Sequence, residues 1–67
     1  MEVSARLRVY VDLQGAALVG APGAELARIL RRLAEQVEGT VTSCRRGTFS
    51  TSLHDLNGNA VGLALIQ

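Results

Sequence analysis

The spacing of apolar residues changes period once in this chain, and that change limits what the chain can build. Leu7, Val9, Val11 and Leu13 alternate with Arg6, Arg8, Tyr10 and Asp12. A period of two is that of a strand with one buried face, so a strand is predicted within residues 3–13. Further on, Leu26, Ile29, Leu30, Leu33 and Val37 fall at i, i+3, i+4, i+7 and i+11, which makes one apolar stripe along a helix. Pro22 suits the first helical turn, where its missing N–H is not needed. Glu25 complements the positive end of the helix dipole. Gly39 follows the last residue of the stripe and predicts a C-terminal cap. The helix is thus expected over 22–38, about 25 Å at 1.5 Å per residue. Arg28, Arg31, Arg32, Glu35 and Glu38 lie away from the stripe. Residues 14–21, around Gly15 and Gly20, read as a loop.

The second half returns to strand chemistry. Residues 40–54 are rich in Thr, Ser and Val and predict strands broken near Arg46-Gly47. Asp55-Leu56-Asn57-Gly58 has Asp first and Gly fourth, the chemistry of a type I turn whose Gly takes a positive φ. Parity sets the loop length. A two-residue loop pairs Leu53 with Gly62 and mixes polar and apolar residues on each face. A three-residue loop, Leu56 to Gly58, pairs Leu53 with Val61, Thr51 with Leu63 and Phe49 with Leu65, which leaves one face apolar. The three-residue loop with a bulge is expected. Ser50, Ser52, His54, Ala60, Gly62 and Ala64 then form the other, flat face. The order β-α-β-β-β describes a single α+β domain over 1–67. It has two layers, one amphipathic helix on a mostly antiparallel sheet of three or four strands.

Size now matters. A chain of 67 residues, 48% of them hydrophobic, buries only about 60% of its unfolded surface. Ordering costs roughly 1.5 kcal/mol per residue and largely cancels that gain. Cys44 is the one cysteine, so no disulfide is possible. Cys44 and His54 are one each, too few for a zinc site of four ligands. No metal or cofactor is therefore expected, and self-association is the remaining way to enlarge the core. The final segment, Ala60 to Gln67, carries no charge and no proline. Left as an exposed edge, it would be prone to pair with another chain. This predicts a homodimer or other homo-oligomer, or a protein partner, at a candidate interface of Phe49, Ala60, Gly62, Leu63, Ala64, Leu65 and Ile66.

Other chemistry is less well supplied. No apolar run reaches the length of a membrane helix, and Met1 to Arg8 lacks the layout of a signal peptide. No membrane partner and a cytoplasmic setting are expected. The loop with Gly15, Gly20 and Gly23 lacks the spacing and the lysine of phosphate-binding loops. Ser52 and His54 share a strand face but stand about 7 Å apart, and Asp55 points to the opposite face. No catalytic set converges, so no enzyme is expected. Cys44 precedes two arginines, yet strand pairing with Phe49 would make it a small buried hydrophobe. Arg6, Arg8 and Tyr10 share one strand face, which Arg45 and Arg46 could join as a candidate nucleic-acid face. A net charge of +1 gives that reading no bulk electrostatic drive.

Two stretches carry a resemblance. Ala24 to Ala34 contains Ile29-Leu30-Arg31-Arg32-Leu33-Ala34, and Leu53 to Gly62 contains Asp55-Leu56-Asn57-Gly58-Asn59-Ala60-Val61-Gly62. The pair resembles a group of small uncharacterised proteins from bacteria, phages and mobile elements. These share an "ILRxLA" helix and a C-terminal "DxNGNxVG" hairpin. The resemblance implies a mobile-element setting, and it carries over no activity and no functional residue. The function expected is that of a small non-enzymatic interaction module, with nucleic-acid binding as the alternative.

Overall fold

The structure, a computed structural model, describes residues 5–67, apart from the side chains at 16 and 17. The elements are β1 (Leu7–Val11), α1 (Ala16–Gly20), α2 (Pro22–Thr40), β2 (Ser50–His54) and β3 (Ala60–Ile66). The strands form one antiparallel sheet in the order β1-β3-β2. The predicted α+β class and two-layer arrangement are the ones observed, with α2 packed against β2. Positions 3 and 4 of the predicted first strand lie outside the described residues.

The sequence order places β3 last, but the sheet places it in the middle. Its expected free edge does not exist, because β1 and β2 hydrogen-bond to its two sides. A charge-free, proline-free strand suits that position, where the backbone is paired on both sides.

Helix α2 ends later than its stripe suggested. Gly39 and Thr40 remain helical, and Val41 closes the helix in an extended conformation, its N–H donating to Val37 O. Val41 stands four residues after Val37, and both are partly buried. The stripe therefore runs one step further than the five residues that defined it, and Gly39 is no left-handed cap. Leu30 is also a correction, since it is half exposed while Ile29 and Leu33 are buried.

Residues 14–21 are not a simple loop. They contain α1, whose first turn bonds Leu18 N and Val19 N to Gly15 O. Leu18 is 1% exposed, the largest fully buried side chain among the described residues. It completes a core of Ile29, Leu33, Phe49, Leu53, Val61, Ala64 and Ile66.

Residues 41–49 contain no strand. Thr48 Oγ1 donates to Arg45 O at 2.7 Å and Arg45 N donates to Ser43 Oγ at 3.2 Å. Such local bonds compete with a ladder. The predicted turn is present at Gly47, with φ of +79°. Cys44, expected to be buried opposite Phe49, is exposed, because no strand precedes the turn to carry it onto the sheet.

The β2–β3 hairpin has the predicted three-residue loop. Gly58 N donates to Asp55 O at 3.0 Å, Asp55 N donates to Asn59 O at 2.9 Å, and Gly58 takes φ of +84°. His54 then pairs with Ala60. Beyond that pair the register shifts by one, so Leu53 faces Gly62, Thr51 faces Ala64 and Ser50 faces Leu65. The expected pairs of Leu53 with Val61, Thr51 with Leu63 and Phe49 with Leu65 do not form. Val61 is the extra residue of the bulge. The bulge lets β3 bury Val61 and also Ala64 and Ile66, which have the opposite parity. It also turns the faces of β3 over, so Gly62 and Ala64 lie under the helix while Leu63 and Leu65 point the other way.

Gly62 is the point of closest approach in the sheet. A Cβ placed there would lie 2.8 Å from the Tyr10 carbonyl carbon and 2.9 Å from Val11 Cα, and closer still to the Tyr10 oxygen. Only a residue without a side chain admits β1 at this distance.

Candidate interaction surface

The sheet has one face toward α2 and one face open. Directly opposite residues share a face. The open face therefore carries the rows Arg8–Leu65–Ser50 and Tyr10–Leu63–Ser52. Its apolar centre is exposed: Tyr10 is 53% and Leu63 is 42% accessible. The helix side carries Leu7–Ile66, Val9–Ala64–Thr51 and Val11–Gly62–Leu53. There α2 covers β2 and the middle of β3 but stops short of β1. Leu7 is 54% and Val9 39% exposed, although both stand on the core side of the sheet.

The residues expected at an interface are divided by this geometry. Phe49, Ala64 and Ile66 are buried within the chain itself, Gly62 and Leu65 are partly buried, and Ala60 and Leu63 are exposed. The flat face predicted from Ala60, Gly62 and Ala64 is not an outer surface, because the bulge places Gly62 and Ala64 against the helix. Within the sheet, the exposed large apolar residues are Leu7, Val9 and Tyr10 of β1 and Leu63 on the outer side of β3; Leu13, Val19, Leu30 and Leu56 are exposed outside it.

The residues expected to contact nucleic acid converge in part. Arg8 and Tyr10 share the open face. Arg6 N donates to Gln67 O and Gly47 N donates to Ile66 O. The Arg45-Arg46 turn and Arg6 thus meet at the same end of the sheet. Asp12 lies at the opposite end, where its N–H donates to Val61 O. Asp55 and Glu25 gather around the hairpin turn at that end too. Charge is separated along the sheet although the chain as a whole is nearly neutral.

Between α2 and β2 runs an open groove of about 590 Å³, lined by Arg28, Arg32, Gln36, Ser52, His54 and Leu56 among others. Arg28, Asp55 and Leu56 of its lining also belong to a structural latch that the sequence reading missed. Glu25, 7% exposed, accepts 2.8 and 3.1 Å bonds from Arg28 Nε and Nη2 and a 2.7 Å bond from Leu56 N. Arg28 Nη2 also donates to His54 O at 2.9 Å. Asp55, 6% exposed, accepts from Asn57 N, Asn59 N and Asn59 Nδ2. The fork of Arg28, and then the Leu56 N–H, holds the Glu25 carboxyl below its ordinary pKa against the opposing effect of burial. The Asn59 N–H does the same for Asp55. The pair raises Arg28 in return. The Glu-x-x-Arg spacing on one helix face was the signal available. Nothing local in the sequence said that this face would meet the hairpin turn.

His54 is exposed, and Arg28 holds its carbonyl rather than its ring. No hydrogen bond joins it to Ser52 or Asp55 among the described residues. Among the described residues, no helix is long and apolar enough to cross a membrane. No family model, curated protein or solved structure matches this chain.

Proposed function

We propose that the chain is a small non-enzymatic interaction module that acts as a homo-oligomer. The observation that carries this reading is the unfinished core at β1. Leu7 and Val9 stand on the helix side of the sheet yet remain 54% and 39% exposed. A chain this short has no apolar surface to spare and no disulfide to replace it. Covering these residues from outside adds the burial that one helix does not supply. The non-enzymatic part rests on the two buried carboxylates. Glu25 and Asp55 spend their oxygens on Arg28 and on turn N–H groups, and both stay ionised, so neither is poised as an acid or a base. The resemblance to small mobile-element proteins belongs to the same proposal. Its two motifs are the parts joined by Glu25 and Leu56. Sedimentation equilibrium tests the reading, with a mass above that of the 7.1 kDa chain expected to appear between micromolar and near-millimolar concentration. A monomer across the whole accessible range refutes it.

A second reading is favoured by one observation, the basic end of the sheet beside Arg8 and Tyr10. It predicts single-strand nucleic-acid binding that weakens steeply with salt. Fluorescence anisotropy with a labelled oligonucleotide at low salt checks it, and a flat titration removes it. The neighbours of Tyr10 and Arg8 on the open face are Leu63, Leu65 and serines rather than further aromatics. That composition favours a protein surface.

A further inference from the structure

We infer that a second copy of this chain pairs with it through β1, strand against antiparallel strand, with Val9 on the two-fold axis. The inference rests on the interaction-module reading and specifies its surface.

The two edges of the sheet are not equivalent. The β2 edge is partly covered by α2. Ile66 N donates to Phe49 O, so by antiparallel alternation Ser50, Ser52 and His54 turn their backbone groups away from β3. The His54 carbonyl on that side is taken by Arg28, and Gln36 Nε2 reaches the neighbouring Thr51 hydroxyl at 3.4 Å. Among the described residues, the β1 edge carries no such cover. Arg6 and Gln67 exchange both of their backbone bonds, and Asp12 N donates to Val61 O. Even-numbered residues of β1 therefore face β3, and Leu7, Val9 and Val11 direct their N–H and C=O groups outward. The strand has no proline and its register with β3 has no bulge. Its protection is limited to its five-residue length and its charged side chains.

The side chains of β1 are complementary to themselves in one direction. Arginine stands at positions 6 and 8 and aspartate at position 12. Parallel pairing would set Arg against Arg. Antiparallel pairing centred on Val9 overlaps the whole strand and sets Arg6 opposite the partner's Asp12. Arg8 then faces the partner's Tyr10, a guanidinium beside an aromatic ring. Both pairs occur twice, on the open face. On the helix side Val9 meets the partner's Val9 and Leu7 meets the partner's Val11, which covers the half-exposed apolar residues of both copies. Val9 is also one of the outward-facing residues. The axis can therefore sit at a pair that exchanges both backbone bonds, and the strand forms about six bonds across the junction. Centring the pair on Arg8 would bring two arginines together. Helix α2 packs on β2, at the far edge, and leaves this one open.

Sedimentation equilibrium from micromolar to near-millimolar chain is the test, on the wild type and three variants. The wild type is expected to pass from monomer to dimer. Val9→Pro removes an outward N–H that has no partner among the described residues, and it is expected to weaken dimerisation at least tenfold with an unchanged far-UV spectrum. Asp12→Arg is expected to weaken it similarly, and the charge-swapped pair Arg6→Asp with Asp12→Arg to restore it. If Val9→Pro unfolds the chain, the charge-swap series decides. A dimer indifferent to all these changes overturns the β1 pairing and leaves the interaction-module reading standing. A chain that stays monomeric overturns both.

Discussion

Replacing Gly62 by alanine tests whether the close β1–β3 approach holds the sheet together. The new Cβ would sit 2.8 and 2.9 Å from two backbone atoms of Tyr10 and Val11. Ordinary carbon contacts are about 3.5–4.0 Å. None of these atoms belongs to a flexible side chain, and the Tyr10 oxygen is nearer still, so β1 itself must retreat by more than about 1 Å to restore ordinary contact. A retreat of that size takes hydrogen bonds near 2.9 Å past their 3.5 Å limit. Overpacking of this kind costs about 1–3 kcal/mol, and each weakened bond adds up to about 1 kcal/mol. A loss of roughly 2–4 kcal/mol is expected, against a total of about 3–10 kcal/mol for a domain this size. That corresponds to a Tm lower by about 10–25 °C. Urea unfolding followed by far-UV circular dichroism measures it. The fluorescence of Tyr10, the single tyrosine, reports on β1 directly. Gly39→Ala is the matched control. It lies within α2 with nothing within 4 Å and should stabilise by about 0.5–1 kcal/mol. A Gly62→Ala protein with an unchanged midpoint would refute the account of how β1 is seated.

Three further outcomes are expected. Leu18→Ala should lower stability by about 2–5 kcal/mol, read by urea midpoint; a surface-like effect would mean that α1 is not part of the core. Gly58→Ala should cost about 1–2 kcal/mol because φ there is +84°, while Gly58→Asn, which tolerates the left-handed region, should cost less. Acid should unfold the protein through the latch. The carboxyls of Glu25 and Asp55 are held below their ordinary values of 4.5 and 3.8. Their contribution is complete above those values and is lost as pH falls through the lowered folded-state values. Stability should therefore be level from neutral pH to about 5 and fall below about 4, with the Glu25→Gln variant falling less steeply.

The legible parts of the fold were those written in local periodicity. The strand at 7–11, the stripe through Ile29 and Leu33, and the Asp55–Gly58 turn each need only neighbours along the chain. The loop length was legible too, but not the bulge one pair further on. That bulge answers a tertiary demand, the burial of Val61 and Ala64 on one side, which parity from the turn cannot register. The strand expected at 40–46 failed because Ser43 and Thr48 satisfy the backbone locally. The position of β3 was hidden because its composition fits both an unprotected edge and a doubly paired centre. Arg6, Arg8 and Tyr10 were read correctly as sharing a face. The uncovered apolar residues were sought in the hairpin; Leu56 and Leu63 do lie there, but Leu7, Val9 and Tyr10 of β1 add a second exposed set, since α2 packs at the other edge of the sheet.

The pairing of Leu7 with Ile66 joins positions that are almost the whole chain apart, whereas Leu53 and Gly62 are near neighbours. Closing the longer loop carries the larger entropic penalty. The β2–β3 hairpin and α2, tied by Glu25, can assemble first, and β1 docks last onto a surface already made. Opening should run in reverse. The amides of β1 and their β3 partners should exchange with solvent earlier than those shared by β2 and β3. Each such opening lays bare one side of an uncharged central strand, and whatever associates with β1 also sets how often that happens.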